Sequence, residues 1–164
     1  SVYAPYAHQK LDSLLDQNDI NNEAACDLGA GLGGMWAVEK LYFKRVEGWE
    51  LDPDLFGESV KMWKGEGAPY NEIIFHKLDF LGHSADLGRF SFVYFYYPFM
   101  NNFKELMGAK LLTASRGTVI ACPEFYDESY EPSLFPEGHF TKFPLVGGEL
   151  EPEGRFPFYV YVRA

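Results

Sequence analysis

Cysteine, histidine and basic side chains are all scarce in this chain. Cys26 and Cys122 are its two cysteines, far apart and each inside an apolar run, which excludes a Cys-x-x-Cys redox or zinc pair and suits a reducing compartment. The four histidines, His8, His76, His83 and His139, lack any metal-ligand spacing such as H-E-x-x-H, so no metal site is expected. Lys and Arg number 14 against 24 Asp and Glu, a formal charge of -10. That is the wrong sign for tracking a phosphate backbone, and no nucleic-acid partner is expected. An acidic surface suits a cationic partner, such as a lysine-bearing protein or a polyamine, or serves solubility alone. No run is long and apolar enough to span a bilayer, and no basic leader precedes Tyr3-Ala4-Pro5-Tyr6. A soluble cytoplasmic protein without a membrane segment is the expectation.

What is abundant is apolar and aromatic. A hydrophobic share of 47% over 164 residues supports one core and leaves no room for a second substrate domain, so residues 1–164 read as a single domain. Fifteen Phe and eleven Tyr supply rings able to stack on a flat ligand.

Hydrophobic spacing lays out an alternation of helix and strand. Leu11, Leu14 and Leu15 mark a first amphipathic helix ending near Asn21 and Asn22. Ala24–Leu28 reads as a strand, Gly34–Phe43 as a helix carrying Trp36 and Leu41, and Arg45–Trp49 as a second strand. Asp52-Pro53 is a helix start, with Asp as cap and Pro at the first helical position, followed by Phe56, Val60 and Trp63 on one face and Gly65 and Gly67 at the end. Ile73–Lys77 makes a third strand, and Phe90–Tyr97, apolar on both faces, a central fourth. Phe103, Leu106, Met107 and Leu111 mark another helix, Thr118–Cys122 a fifth strand, and Phe158–Val162 a late strand in a terminal antiparallel hairpin. Such alternation implies an α/β fold, a mostly parallel sheet covered on both faces.

The stretch Asp27-Leu28-Gly29-Ala30-Gly31-Leu32-Gly33-Gly34 lies between the first strand and its helix. Glycines there permit a tight turn and close backbone approach to a ligand, and a helix amino terminus adds its positive end. Read through Gly29, Gly31 and Gly34 the pattern suits a dinucleotide; read as D-x-G-x-G-x-G through Gly33 it suits S-adenosylmethionine. Asp27 separates the two, because its carboxylate repels a pyrophosphate yet holds a cationic amino-acid moiety. Glu50, ending the second strand in Gly48-Trp49-Glu50-Leu51-Asp52-Pro53, can accept both ribose hydroxyls of either ligand. Asp79 can bond the exocyclic amine of adenine while Phe80 packs on the ring, although an isolated Asp after a strand is more often a turn residue. Phe95-Tyr96-Tyr97-Pro98-Phe99 falls at the carboxyl end of the fourth strand, where open sheets place their ligand crevice. There Tyr96 can face a sulfonium through cation–π attraction, carbonyls at Tyr97-Pro98 can orient an incoming amine, and Phe95 reads as core.

These residues together resemble the class I S-adenosylmethionine-dependent methyltransferases over nearly the whole length. Tyr3-Ala4-Pro5-Tyr6, Asp27-Leu28-Gly29, Gly48–Pro53, Val119-Ile120-Ala121-Cys122 and Tyr159-Val160-Tyr161 are similar to the small archaeal and mitochondrial protein-lysine methyltransferases. The resemblance implies a Rossmann-like three-layer sandwich around a seven-stranded sheet with an antiparallel last strand. It also implies residues 1–22 folding over the cofactor, with Tyr3 and Tyr6 in that lid, and methyl transfer to a protein lysine. Cofactor contacts are then expected from Tyr3, Asp27, Gly29, Ala30, Gly31, Gly33, Glu50, Leu51, Asp79, Phe80 and Tyr96, and acceptor positioning from Tyr97 and Pro98. Gly34 stands where the family commonly has a charged residue, and Tyr96-Tyr97-Pro98-Phe99 differs from the family's acceptor-facing motif. The acidic run Glu124, Asp127, Glu128 and Glu131 is a solvated loop or a dock for a basic substrate. A nicotinamide enzyme, a methyltransferase with another acceptor and a non-catalytic cofactor-binding protein are the alternatives.

Overall fold

The computed structural model describes residues 3–29, 34–66, 73–82, 85–95, 104–123, 134–146 and 158–164. Eleven elements follow in the order α1 (Tyr3–Gln17), β1 (Ala24–Leu28), α2 (Met35–Lys40), β2 (Arg45–Glu50), α3 (Pro53–Glu66), β3 (Ile73–Lys77), β4 (Phe92–Phe95), α4 (Lys104–Leu111), β5 (Val119–Pro123), β6 (Phe140–Lys142) and β7 (Phe158–Arg163). The seven strands form one sheet in the order β3-β2-β1-β4-β5-β7-β6. Strands β1 to β5 run parallel, and β7 lies antiparallel between β5 and β6. This is the expected Rossmann-like α/β sheet, closed by the expected antiparallel hairpin.

Period-two alternation along β1 divides the core. Ala24, Cys26 and Leu28 face a cluster that includes Met107 and Leu111 of α4. Ala25 faces the other layer, where Ala7, Leu11, Leu14 and Leu15 of α1 meet Met35, Trp36 and Val38 of α2. Burying apolar faces of the sheet under helices on both sides is what holds the layers together. β4, buried at every position, is central as expected.

Several boundaries differ from expectation for local reasons. α1 stops at Gln17 rather than near Asn21, because Asn18 turns its side chain back to donate to the Leu14 carbonyl (2.9 Å) and ends the ladder. α2 spans six residues, and Leu41 beyond it is 67% exposed rather than part of a buried stripe. Leu106 likewise faces outward from α4 while Met107 and Leu111 are buried. Asp52 does cap α3: its Oδ1 accepts from the N–H groups of Asp54 (2.8 Å) and Leu55 (3.1 Å), with Pro53 at the first helical position. α3 continues through Gly65 to Glu66, while Trp63's side chain, Gly67 and Phe103 lie outside the described residues. Among the described residues, no helix is long and apolar enough to cross a membrane.

Candidate functional site

The strand order reverses between β1 and β4, and a ligand crevice belongs outside the carboxyl ends of the strands at such a switch point. The in-register pairing of Leu28 with Trp49 and of Glu50 with Lys77 brings the ends of β1, β2 and β3 to one edge. The turns beyond them interlock: the Gly29 N–H donates to the Trp49 carbonyl (2.7 Å), and the Leu78 N–H to the Glu50 carbonyl (3.1 Å). Asp27, Gly29, Glu50, Leu51, Asp79 and Phe80, drawn from three separate stretches of chain, thereby gather in one region.

Gly29 sits at φ +69°, in the left-handed region, and a Cβ placed on it would lie 3.7 Å from the Phe80 ring. The positive φ is what favours glycine here, while the Phe80 ring from the next turn sits at ordinary contact distance. Gly34, at φ +66°, is the other constrained glycine; a Cβ there would come within 3.2 Å of the His8 ring of α1. The first half of α1 is thus seated against the far end of the glycine turn. With six residues, α2 carries only a short stack of peptide dipoles, so the positive helix end expected beside the turn is weaker than for a full-length helix.

Asp27 is 3% exposed. The Trp36 backbone N–H donates to its carboxyl group, but Oδ2 has no partner among the described residues. Burial pushes its pKa up from the ordinary 3.8 to about 8, and the Glu50 carboxylate adds to the rise. An uncompensated buried carboxyl of this kind is costly in its charged form and is well suited to receive a cation or a donor.

Glu50 is buried at the end of β2, where its Oε2 accepts from the Asp52 N–H (3.0 Å). That bond orients the carboxylate at the strand end. Leu51 follows it with 55% exposure, an apolar surface beside the crevice. Asp79 is exposed and organises its own turn: Oδ1 accepts from the Leu81 N–H (3.0 Å), and its carbonyl from the Gly82 N–H (2.9 Å). The turn role is therefore present whatever else its carboxylate contacts. Phe95 is fully buried in the core, as expected.

Sequence reasoning missed Glu39. It lies three residues after Trp36 on the inner face of α2, is fully buried, and has neither carboxylate oxygen partnered among the described residues. Burial, with the Asp27 charge adding, pushes its pKa well up. The only signal in the sequence was its register with Trp36, Met35 and Val38, a helical face otherwise apolar. Ala30, Gly31, Gly33, Tyr96, Tyr97 and Pro98 lie outside the described residues, as do the side chains of Tyr3 and Tyr6 and the acidic run from Glu124 to Glu131.

No protein-family model matches this sequence, and no curated protein matches it. Solved structures do share its fold. An RNA methyltransferase from Salinibacter ruber, in complex with S-adenosylhomocysteine, is 22% identical, with a TM-score of 0.63 over 92% of this chain and 86% of that one. The magnesium protoporphyrin IX methyltransferase ChlM from Synechocystis, with S-adenosylmethionine bound, is 16% identical, with a TM-score of 0.70 over 96% of this chain and 80% of that one. The mitomycin 7-O-methyltransferase MmcR is 13% identical, with a TM-score of 0.68 over 97% of this chain, which spans about half (54%) of MmcR's length. By strand order, strand direction and the reversed β7, the chain has the seven-stranded fold of the class I methyltransferases.

Proposed function

We propose that this protein is an S-adenosylmethionine-dependent methyltransferase acting as one domain, with a lysine amine of another protein as acceptor. The observation that carries the reading is Asp27, a buried carboxyl with an unpartnered Oδ2 among the described residues, beside the left-handed Gly29 and near Glu50. A nicotinamide dinucleotide would bring a pyrophosphate toward this acid, whereas S-adenosylmethionine brings an ammonium. The cofactors named for the Salinibacter and Synechocystis proteins support the same choice.

Bound there, the cofactor would supply a methyl group made electrophilic by its sulfonium. Asp27 would receive the donors of the amino-acid end, helped by the backbone at Gly29, Ala30, Gly31 and Gly33. Glu50, already oriented by the Asp52 N–H, would accept the ribose hydroxyls. Leu51 and Phe80 would flank the adenine, with Asp79 at its exocyclic amine. The seat of His8 against Gly34 favours residues 1–22 as a cover, with Tyr3 toward the cofactor, excluding water from the reacting atoms. Tyr96 would face the sulfonium, and Tyr97 and Pro98 would direct the acceptor's lone pair. In-line displacement needs alignment and desolvation rather than an acid or nucleophile from the protein.

The fold does not choose the acceptor, since the three solved proteins are named for RNA, a porphyrin and a mitomycin. Net charge of -10 and the resemblance to protein-lysine enzymes favour lysine over nucleic acid. Cys26 and Cys122 are buried and form no disulfide, which favours the reducing cytoplasm.

Calorimetric titration with S-adenosylmethionine, S-adenosylhomocysteine and NADH tests the reading. Adenosyl ligands should bind the wild type and lose at least about tenfold in affinity to Asp27→Ala, as expected for a charge-assisted contact. Binding of NADH without binding of either adenosyl ligand would reject it.

A further inference from the structure

Lys110, near the end of α4, is 6% exposed, yet its ammonium meets no carboxylate within bonding distance among the described residues. Instead Nζ donates to two main-chain carbonyls, those of Gly82 (2.8 Å) and Ala85. Burial draws its pKa down, with Asp86 and Asp79 opposing from farther away. A buried cation held by neutral carbonyls is an expensive way to fill space that a methionine could fill.

The two carbonyls belong to the segment that follows β3. Gly82 closes the turn begun at Asp79, and its carbonyl also accepts from the Ala85 N–H (3.2 Å). The turn is tight enough that a Cβ on Gly82 would meet the Asp79 carbonyl oxygen at 3.0 Å. A second tie lies one turn along the same helix end, where Thr113 Oγ1 accepts from the Leu87 N–H (3.1 Å) and donates to the Lys110 carbonyl (2.6 Å). Phe80, within the turn, lies at contact distance from Gly29: a Cβ placed there would be 3.7 Å from its ring. Leu78, Phe80 and Leu81 pack on the core cluster that contains Met107 and Leu111 of α4, so the helix holds the turn by apolar packing and Lys110 pins its main chain.

We propose that Lys110 is a positioning residue that sets the Asp79–Phe80 turn and thereby the enzyme's selectivity for adenine; the inference rests on the adenosylmethionine reading above. Lys110 touches no cofactor atom in this account. It acts through the two carbonyls.

Calorimetric affinities for S-adenosylhomocysteine and for its inosine counterpart, in which an oxo group replaces the exocyclic amine, separate this role from a purely structural one. In Lys110→Met the affinity for S-adenosylhomocysteine should fall about tenfold, in line with loss of hydrogen bonds from a charged donor, while the inosine form loses less, so that selectivity narrows. Lys110→Gln, able to reach one carbonyl, should fall between the two and serves if the methionine variant does not fold. Unchanged selectivity in a folded variant overturns the role of Lys110 and leaves the cofactor reading standing. A wild type that binds no adenosyl ligand overturns both.

Discussion

Asp27 and Glu39 set an unusual requirement on one small volume, since both are buried acids with carboxylate oxygens unpartnered among the described residues. Each has its pKa pushed up by burial, so the folded chain holds protons that the unfolded chain releases at lower pH. For a group raised in this way, the stabilising contribution is fully present below the unfolded value and is lost as pH rises through the folded value. For Asp27 that window runs from the ordinary 3.8 to about 8. The ligand-free protein should therefore lose resistance to urea as pH rises across this range. Asp27→Asn should lose less and become the more stable of the two near the upper end, although it binds adenosyl ligand more weakly. Urea midpoints at acidic and mildly alkaline pH check this; parallel losses in both proteins would mean that Asp27 has a partner that keeps it ionised.

At the scale of elements, β1 and β3 were legible to the residue because each is a short run between turn-forming residues, although β1 is paired on both sides and β3 is an edge strand paired with β2 alone. The Asp52-Pro53 start of α3 was equally legible, since its cap is local chemistry. Leu41 and Leu106 were misread because helical spacing identifies a stripe but not which leucines fall outside the covered arc. Candidate residues Asp27, Glu50 and Phe80 were legible from position relative to strand ends. Glu39 and Lys110 were not, because their meaning comes from burial under other elements. Glu47 is a third such case: buried on β2, it binds Arg89 through both carboxylate oxygens (3.0 and 2.8 Å) and His76 (2.6 Å), tying β3 and the approach to β4 to the middle of the sheet. Burial raises its pKa, but Arg89 and His76 outweigh that and hold it below the usual carboxylate range. Its contribution is thus present at neutral pH and lost as pH falls through that depressed value. Glu47→Gln should cost about 2 kcal/mol near neutral pH, with the difference from wild type shrinking in acid. A uniform cost at all pH values would assign the loss to packing alone.

For the molecule as a whole, the question is what an excess of ten negative charges does if the proposed acceptor is a lysine side chain, which docks as a cation and must lose a proton before its amine can take the methyl group. A lysine-rich polypeptide would be drawn to such a surface from beyond contact range, and the attraction would weaken as salt shortens the Debye length to about 8 Å at physiological ionic strength. The proposed cofactor site depends on short-range contacts, several of them to buried groups such as Asp27, and should feel salt little. KM for a basic polypeptide should therefore rise with ionic strength while affinity for S-adenosylhomocysteine stays flat. Neutralising Glu124, Asp127, Glu128 and Glu131 together to their amides should raise KM at low salt, by about tenfold if each contributes a few tenths of a kcal/mol, and should flatten the salt dependence. Two results bear against the docking role. If KM and its salt slope are the same in the variant, the acidic run only keeps the protein soluble. If activity appears instead on RNA and collapses with salt, a local basic patch outweighs the net charge, and the acceptor class proposed here is wrong while the cofactor site is untouched.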